Sequence, residues 1–115
     1  MILAVATVKK HIAPHYAFTE NFDLYKITGQ EAKFMYAIPY STKAHLESFD
    51  QLKEAGVDAV VMDMVGEETF EHLEGRGLSI YYGQKGMVKS FLLDFLDGKI
   101  KEPKVYVEDT AVCSL

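Results

Sequence analysis

The chain has 115 residues, an apolar fraction of 49%, a net charge of −5 at pH 7 and a pI near 5.3, which is typical of one globular domain. The acidic balance argues against nucleic acid as a partner, because binding by counterion release needs a clustered basic surface. The single cysteine, Cys113, allows no intrachain disulfide, and neither a signal peptide nor an apolar run of roughly 20 residues is apparent, so we expect a cytoplasmic protein without membrane contact.

The first half of the chain predicts three strands. Residues 2–8 form a continuous apolar, β-branched run, which favours a central strand covered on both faces. A loop over residues 9–21 follows, and the alternating run at 22–27 predicts a second strand. A tight turn at 28–30 then leads into residues 31–39, which we expect to pair with the second strand as a hairpin that Pro39 ends.

The second half alternates predicted helices and strands. Residues 41–55 predict a helix and 67–77 a short acidic one, while 57–65 and 78–83 predict buried strands. The first of these helices takes its pattern from apolar residues at intervals of three, namely Leu46, Phe49 and Leu52. The clearest helical stripe lies near the end and consists of Met87, Val88, Phe91, Leu92, Phe95 and Leu96, closed by Gly98.

This order of elements predicts an α/β layered fold with an N-terminal antiparallel hairpin and parallel C-terminal βα units. Ligands of such sheets meet the loops at the carboxyl ends of the strands. Three loops qualify: 9–21, the turn at Gly66, and 83–86. We expect residues 1–100 to form a single domain and the tail at 101–115, which contains "KVYVE", to add an edge strand or contact another subunit.

Several motifs, taken in order, resemble one family, the dinitrogenase iron-molybdenum cofactor biosynthesis and carrier domain, which is NifX-like and similar to the C-terminal domain of NifB. The family's loop ends in His-Phe-Gly and its next strand reads Phe-x-x-Tyr; here these are His15-Tyr16-Ala17 and residues 22–25. The second half matches through the motif residues Gly56, Val57, Asp58, Gly66, Leu73, Glu74, Gly77, Gly83, Gly86, Val88, Phe95 and Ile100.

The resemblance implies a ribonuclease H-like three-layer fold with a mixed sheet of about five strands. It also implies a non-enzymatic protein that binds or carries an iron-sulfur or iron-molybdenum cluster and works with nitrogenase-type cofactor assembly proteins. A homodimer stays open. The chain departs from the family pattern at Ala17, where the family has glycine, and at Met64-Val65-Gly66, where a Gly-Gly pair is common.

The candidate site residues follow from the same loops. His15 is the candidate metal ligand and His11 a second cofactor contact, since a neutral imidazole suits iron. Gly66, Gly83 and Gly86 would let backbone N–H groups approach an anionic ligand. The alternatives are a His15 that hydrogen-bonds its own loop, and glycines that serve turn geometry. His45 and His72, on helix surfaces, receive no role, and Cys113 lies close to the end of the sequence.

Two other functions stay open at this point. A small interaction or regulatory module could keep the fold without a cluster, as the departures at Ala17 and Val65 would favour. A hydrolase could use Asp63, although the nucleases built on this fold gather several carboxylates and the first strand has none. We predict that His15 is partly exposed and lies at the same end of the sheet as Gly66 and Gly86.

Overall fold

The structure, a computed structural model, describes residues 1–100. Six strands occur in this range: β1 (Ile2–Val8), β2 (His11–Ile12), β3 (Asn21–Thr28), β4 (Glu31–Pro39), β5 (Ala59–Val61) and β6 (Ser79–Tyr81). Three α-helices accompany them: α1 (His45–Glu54), α2 (Glu67–Glu74) and α3 (Val88–Leu96). Two 3₁₀ turns, Tyr16–Phe18 and Thr42–Ala44, precede β3 and α1.

The strands form one mixed sheet in the order β4-β3-β1-β5-β6, with β2 paired to the end of β1. β1 pairs antiparallel with β3, which pairs antiparallel with β4, whereas β1, β5 and β6 run parallel. This confirms the predicted fold, with its N-terminal hairpin and its parallel βα units. β1 is the central strand, and its residues 3–7 are buried because both faces of the sheet are covered.

The two faces of the sheet carry separate cores, which gives the three layers. One core lies under α1 and α2, and its fully buried members include Phe22, Leu24, Phe49, Leu52, Val60 and Leu73. The other lies under α3 and includes Leu3, Val5, Val61, Val88 and Phe91. The alternation of side chains along β1 and β3 divides neighbouring residues between the two cores. Burial of these apolar faces is the main favourable term for folding.

The strand β2 is absent from the sequence prediction, which placed residues 9–21 in one loop. A two-residue turn, Lys9-Lys10, joins β1 to β2 and pairs Val8 with His11. Both lysines have positive φ, 48° and 69°, in a type of turn that usually carries Asn or Gly. Left-handed backbone costs a residue with a Cβ about 1 to 2 kcal/mol. A Lys-Lys pair therefore gives no sequence signal for this hairpin.

Two helix details also differ from the predicted stripes. Leu46 is 37% exposed, and Ser48 is buried in its place, with its hydroxyl donating to the Ala44 carbonyl at 3.3 Å. Met87 is 47% exposed because it precedes the first turn of α3 as its N-terminal cap. Intervals of three and four place a residue on a helix face but do not locate the first helical turn.

Within residues 1–100 no helix combines the length and the apolar character that crossing a bilayer would need. The prediction for the tail, an edge strand or subunit contact at 101–115, lies outside the described residues.

Candidate functional site

One short segment, residues 11–15, connects the loops that follow three strands. The Ile12 N–H donates to the Gly86 carbonyl at 2.8 Å, and the Val88 N–H donates to the Lys10 carbonyl at 3.2 Å. These bonds hold the segment against the loop between β6 and α3. At its other end the segment contacts the loop between β5 and α2, because the Tyr16 N–H donates to the Met64 carbonyl at 3.2 Å.

We call the surface formed by residues 9–20, 62–66 and 82–87 the carboxyl edge, since these loops follow the carboxyl ends of β1, β5 and β6. A further tie within it is the Gly83 N–H, which donates to the Asp63 carbonyl at 2.8 Å. The three loops proposed from the sequence therefore meet. His15, Gly66 and Gly86 lie at the same end of the sheet, as predicted.

His15 is half-buried and uses one ring nitrogen for local structure. It is the N-terminal cap of the 3₁₀ turn Tyr16–Phe18, and its Nδ1 accepts from the Ala17 N–H at 3.1 Å. An Nδ1 that accepts a hydrogen bond places the proton of the neutral imidazole on Nε2. The free Nε2 is then a donor, and metal ligation through it would require the proton to move and the cap to break. The self-capping alternative for His15 therefore describes this conformation, and the role as a metal ligand predicted from the sequence would need a different one.

His11 has the opposite arrangement. Its side chain is exposed, and its Nδ1 donates to the Lys9 carbonyl at 3.1 Å. In the neutral ring Nε2 then carries no proton, and its lone pair is available to a metal ion. Metal-ligating histidines characteristically donate their second ring N–H to a carbonyl or carboxylate in this way. By hydrogen bonding, His11 is better prepared for metal ligation than His15.

Each histidine lies beside a methionine that sequence reasoning did not select. His11 forms an antiparallel bridge with Met87, and His15 forms a parallel bridge with Met64. Met64 is 60% exposed and Met87 47% exposed, so both thioethers are accessible at the carboxyl edge. A thioether is a soft ligand and an adaptable contact surface. The sequence carried no signal for this pairing, because its patterns placed Met64 in a predicted strand and Met87 on the stripe of a predicted helix.

The three candidate glycines divide into two kinds. Gly83 and Gly86 have φ of +79° and +97°, so turn geometry alone accounts for glycine at both positions. Gly66 has φ of −79°, and a Cβ built there would meet nothing within 4 Å. Neither positive φ nor close packing requires glycine at Gly66, but its N-cap position favours glycine over alanine. It caps the N-terminus of α2, where its carbonyl accepts from the Phe70 N–H at 3.0 Å.

The two aspartates compared with nuclease residues lie at opposite ends of β5. Asp58 precedes the strand and accepts from the Ile2 N–H at 2.8 Å through Oδ2. Asp63 follows the strand, is 7% exposed, and accepts both Lys85 Nζ contacts, at 2.8 and 3.0 Å. Carboxylates held apart by a strand cannot share a pair of metal ions. Both carboxylates make structural contacts in this conformation. Asp63, the residue that the hydrolase alternative would use, is paired with Lys85.

The resolved pKa shifts lie away from the histidines. Burial raises the pKa of Asp23, partly offset by a hydrogen bond from Thr7, whose hydroxyl also lies 3.2 Å from the Asn21 carbonyl. Burial likewise raises the pKa of Tyr25, with the neighbouring Asp23 charge adding to the effect. Burial, together with Tyr16, raises the pKa of Tyr40 to about 12. Tyr40 belongs to the core under α1 and α2, and Asp23 and Tyr25 face α3.

The carboxyl edge offers few donor groups to a metal ion. Residues 1–100 contain no cluster of three or more His, Cys, Asp or Glu side chains that could chelate a metal. The carboxyl edge instead offers one imidazole lone pair, one imidazole N–H and two thioethers.

Comparisons with known proteins agree with this fold. The family model "Dinitrogenase iron-molybdenum cofactor" matches residues 1–98. The crystal structure of PH0822 superimposes with a TM-score of 0.78 at 20% identity, covering 89% of this chain and 94% of that one. The structure of a Methanocaldococcus jannaschii protein provisionally named a dinitrogenase superimposes with a TM-score of 0.75 at 16% identity. The match covers 92% of this chain and 97% of that one.

A further solved structure, a Thermotoga protein provisionally named a NifB protein, gives a TM-score of 0.68 at 21% identity and covers 92% of this chain and 96% of that one. At these identities the structures establish the fold alone. No individually curated protein matches the chain by sequence. The family match spans nearly all of the described residues, and the chain belongs to the dinitrogenase iron-molybdenum cofactor family.

Proposed function

We propose that this protein binds an iron-sulfur or iron-molybdenum cluster at the carboxyl edge and carries it without catalysing a reaction. One observation carries the proposal. In a chain of this family, the segment from His11 to His15 brings the three post-strand loops together and presents both histidines there. The cluster is cargo in this account, delivered to and collected from nitrogenase-type cofactor assembly proteins.

The two histidines would take different parts in holding the cargo. The His11 Nε2 lone pair is free to coordinate an iron atom, since Nδ1 already donates to a backbone carbonyl. The His15 Nε2–H would donate a hydrogen bond to a cluster sulfide while Nδ1 keeps the 3₁₀ turn capped. Gly66, Gly83 and Gly86 leave the surface beside them free of side chains, which favours close approach of a bulky anionic group.

A carrier must release what it holds, and the site's composition favours release. A single imidazole ligand with hydrogen-bonding support holds a cluster less tightly than the four thiolates of a resident iron-sulfur site. The exposed Met64 and Met87 add contact area without the strong bonds of a thiolate. Loose attachment is therefore consistent with transfer between proteins.

The second candidate is an interaction module of the same fold that binds no cluster. Exposed apolar side chains at the carboxyl edge favour it, because Phe18 is 64% and Met64 60% exposed. Contiguous apolar surface of this kind is characteristic of contacts between proteins. A cluster carrier would also need such a surface to dock its partners, so exposure alone does not separate the two.

Cluster loading separates the two candidates. The protein is mixed without oxygen with a preformed iron-sulfur cluster or with isolated iron-molybdenum cofactor, and gel filtration follows visible absorption. A carrier elutes with the cluster's absorption, His11→Ala lowers the loaded fraction, and His72→Ala, a histidine on α2, serves as the matched control. If the parent protein elutes without visible absorption after mixing with either cluster, the carrier proposal is rejected and the interaction module is favoured.

A further inference from the structure

A groove adjoins the carboxyl edge beside His11 and lies between β3 and α3, next to the β1–β2 turn. Its volume is about 490 Å³, and it is lined by Asp23 and Tyr25 from β3, by Val88, Lys89 and Leu92 from α3, and by Lys10 and Met87. This volume lies in the range of small-molecule sites. The groove occupies the α3 face of the sheet, whereas Tyr16, next to His15, packs on the core under α1 and α2.

The groove has an apolar floor. Tyr25 and Leu92 are both half-buried and pack against the core under α3. The Tyr25 ring also meets Phe34 of β4 edge-on, with centroids 5.6 Å apart. An aromatic ring fixed in this way offers a flat apolar surface. Such a floor suits an organic body rather than a hydrated inorganic ion.

The rim of the groove is cationic, although the protein as a whole carries a net charge of −5. Lys10 and Lys89 line it from two different elements, and Asp23 is the one acid among its lining residues. Burial raises the pKa of Asp23, so this carboxylate gives up its charge more readily than an exposed one. Two flexible ammonium groups around an apolar floor favour a ligand with an acidic head group.

The backbone at Lys10 gives an independent reason to look for a ligand here. Lys10 has φ of +69° in the two-residue turn, where glycine would be relaxed. The Lys10 carbonyl accepts from the Val88 N–H at 3.2 Å, which holds the strained turn against the start of α3. Strain kept at a position that lines a cavity is characteristic of functional sites. Lys9 shares the positive φ, but of these two strained lysines Lys10 is the one that lines the groove.

We propose that this groove binds a small amphipathic organic anion, with its acidic group between Lys10 and Lys89 and its apolar body on Tyr25 and Leu92. The proposal does not depend on cluster binding, because none of these four residues is a proposed cluster contact. A free organic acid with an aliphatic or aromatic body is the ligand class.

Fluorescence titration with anilinonaphthalene sulfonate, an amphipathic anion, tests the groove on the full chain. We expect saturable binding at one site, displaced by decanoate but not by the same concentration of decylammonium. The double variant Lys10→Gln, Lys89→Gln should raise the dissociation constant about tenfold or more, because two charge-assisted contacts are lost. The pair Lys33→Gln with Lys43→Gln makes the same change in net charge elsewhere and should leave binding unchanged.

Single changes in the turn separate strain from binding. Lys9→Asn should raise the melting temperature and leave probe binding intact, because Lys9 does not line the groove. Lys10→Gly should also raise the melting temperature but weaken binding. The proposal is overturned if the double lysine variant binds as the parent does, if decylammonium competes as well as decanoate, or if fluorescence rises without saturation.

Discussion

Asp63 and Lys85 form an ion pair that joins the end of β5 to the loop before α3, with Lys85 Nζ 2.8 Å from Oδ1 and 3.0 Å from Oδ2 of the carboxylate. The Asp63 side chain is 9% exposed and that of Lys85 73% exposed. The lysine therefore satisfies a buried carboxylate while its own stem stays in solvent. The pair fixes two of the three loops of the carboxyl edge relative to each other.

Removing the lysine should cost more than removing both partners. Lys85→Met leaves the Asp63 carboxylate buried without its partner, and we expect it to lower the free energy of unfolding by about 1 to 3 kcal/mol. Asp63→Asn combined with Lys85→Met should recover part of this loss, because no buried charge remains. Urea denaturation of the two variants measures the difference. A loss below about 0.5 kcal/mol for Lys85→Met would show that this ion pair contributes no more to stability than an ordinary surface pair.

The two phenylalanines of the α3 stripe should differ in their effect on stability. Phe91 is 4% exposed, so Phe91→Ala should cost about 3 to 5 kcal/mol. Phe95 is half-buried and stacks on Phe91 with centroids 5.9 Å apart, and Phe95→Ala should cost about 1 to 2 kcal/mol. Leu93→Ala is the control, since Leu93 is 57% exposed. Equal losses for the two phenylalanines in denaturant titrations would contradict the placement of α3.

Tyr40 should make the protein sensitive to alkali. Burial, with Tyr16 contributing, raises its pKa from 10.0 to about 12. Between these two pH values the Tyr40 hydroxyl loses its proton in the unfolded chain but keeps it in the folded chain. The contribution of Tyr40 to the free energy of unfolding is therefore fully present below pH 10 and is lost as the pH rises toward 12. The buried Tyr40 Oη has no hydrogen-bond partner among residues 1–100. Tyr40→Phe should therefore be no less stable at neutral pH.

The comparison of the parent with Tyr40→Phe is made by urea denaturation at neutral and alkaline pH. The variant should lose less stability in alkali than the parent. The rest of the parent's loss includes a contribution from Tyr25, whose pKa burial also raises. Parallel losses in the two proteins would refute the assignment of the shift to Tyr40.

Gly66→Ala should separate a ligand requirement from a folding requirement. The position has negative φ and open space, but it is the N-cap of α2, where glycine is favoured over alanine; this opposes the usual Gly-to-Ala gain, so alanine should change the stability by less than about 1 kcal/mol. Gly77→Ala is the matched control, since φ of +78° there should make alanine destabilising. If a cluster approaches α2 closely, Gly66→Ala should lower loading at unchanged melting temperature. Full loading would remove Gly66 from the site.

The sequence predicts the sheet and its layers well because their signals are local. Apolar runs, a turn around Gly29 and the stripe through Phe91 each report on a few adjacent residues. The β1–β2 turn escaped prediction because Lys9 and Lys10 adopt a conformation that their side chains disfavour, and contacts with Gly86 and Val88, distant in sequence, help to hold it. Tertiary contacts of that kind leave no periodic pattern.

The candidate site was predictable in position but not in chemistry. The predicted order of strands indicated the loops at their carboxyl ends, and the loops meet. Which histidine is free to coordinate depends on backbone partners, the Lys9 carbonyl for His11 and the Ala17 N–H for His15. Those partners depend on local turn geometry, which cannot be read from the sequence alone. The neighbouring methionines depend on bridges between loops distant in sequence.

The most direct test of cluster carriage at the carboxyl edge is pulsed electron paramagnetic resonance of the protein with isotopically labelled histidine, loaded with a paramagnetic iron-sulfur or iron-molybdenum cluster. The account predicts a histidine nitrogen coupling to the cluster that disappears in His11→Ala and persists in His15→Ala. A loaded protein with no histidine nitrogen coupling, or with a coupling that survives His11→Ala unchanged, would contradict it.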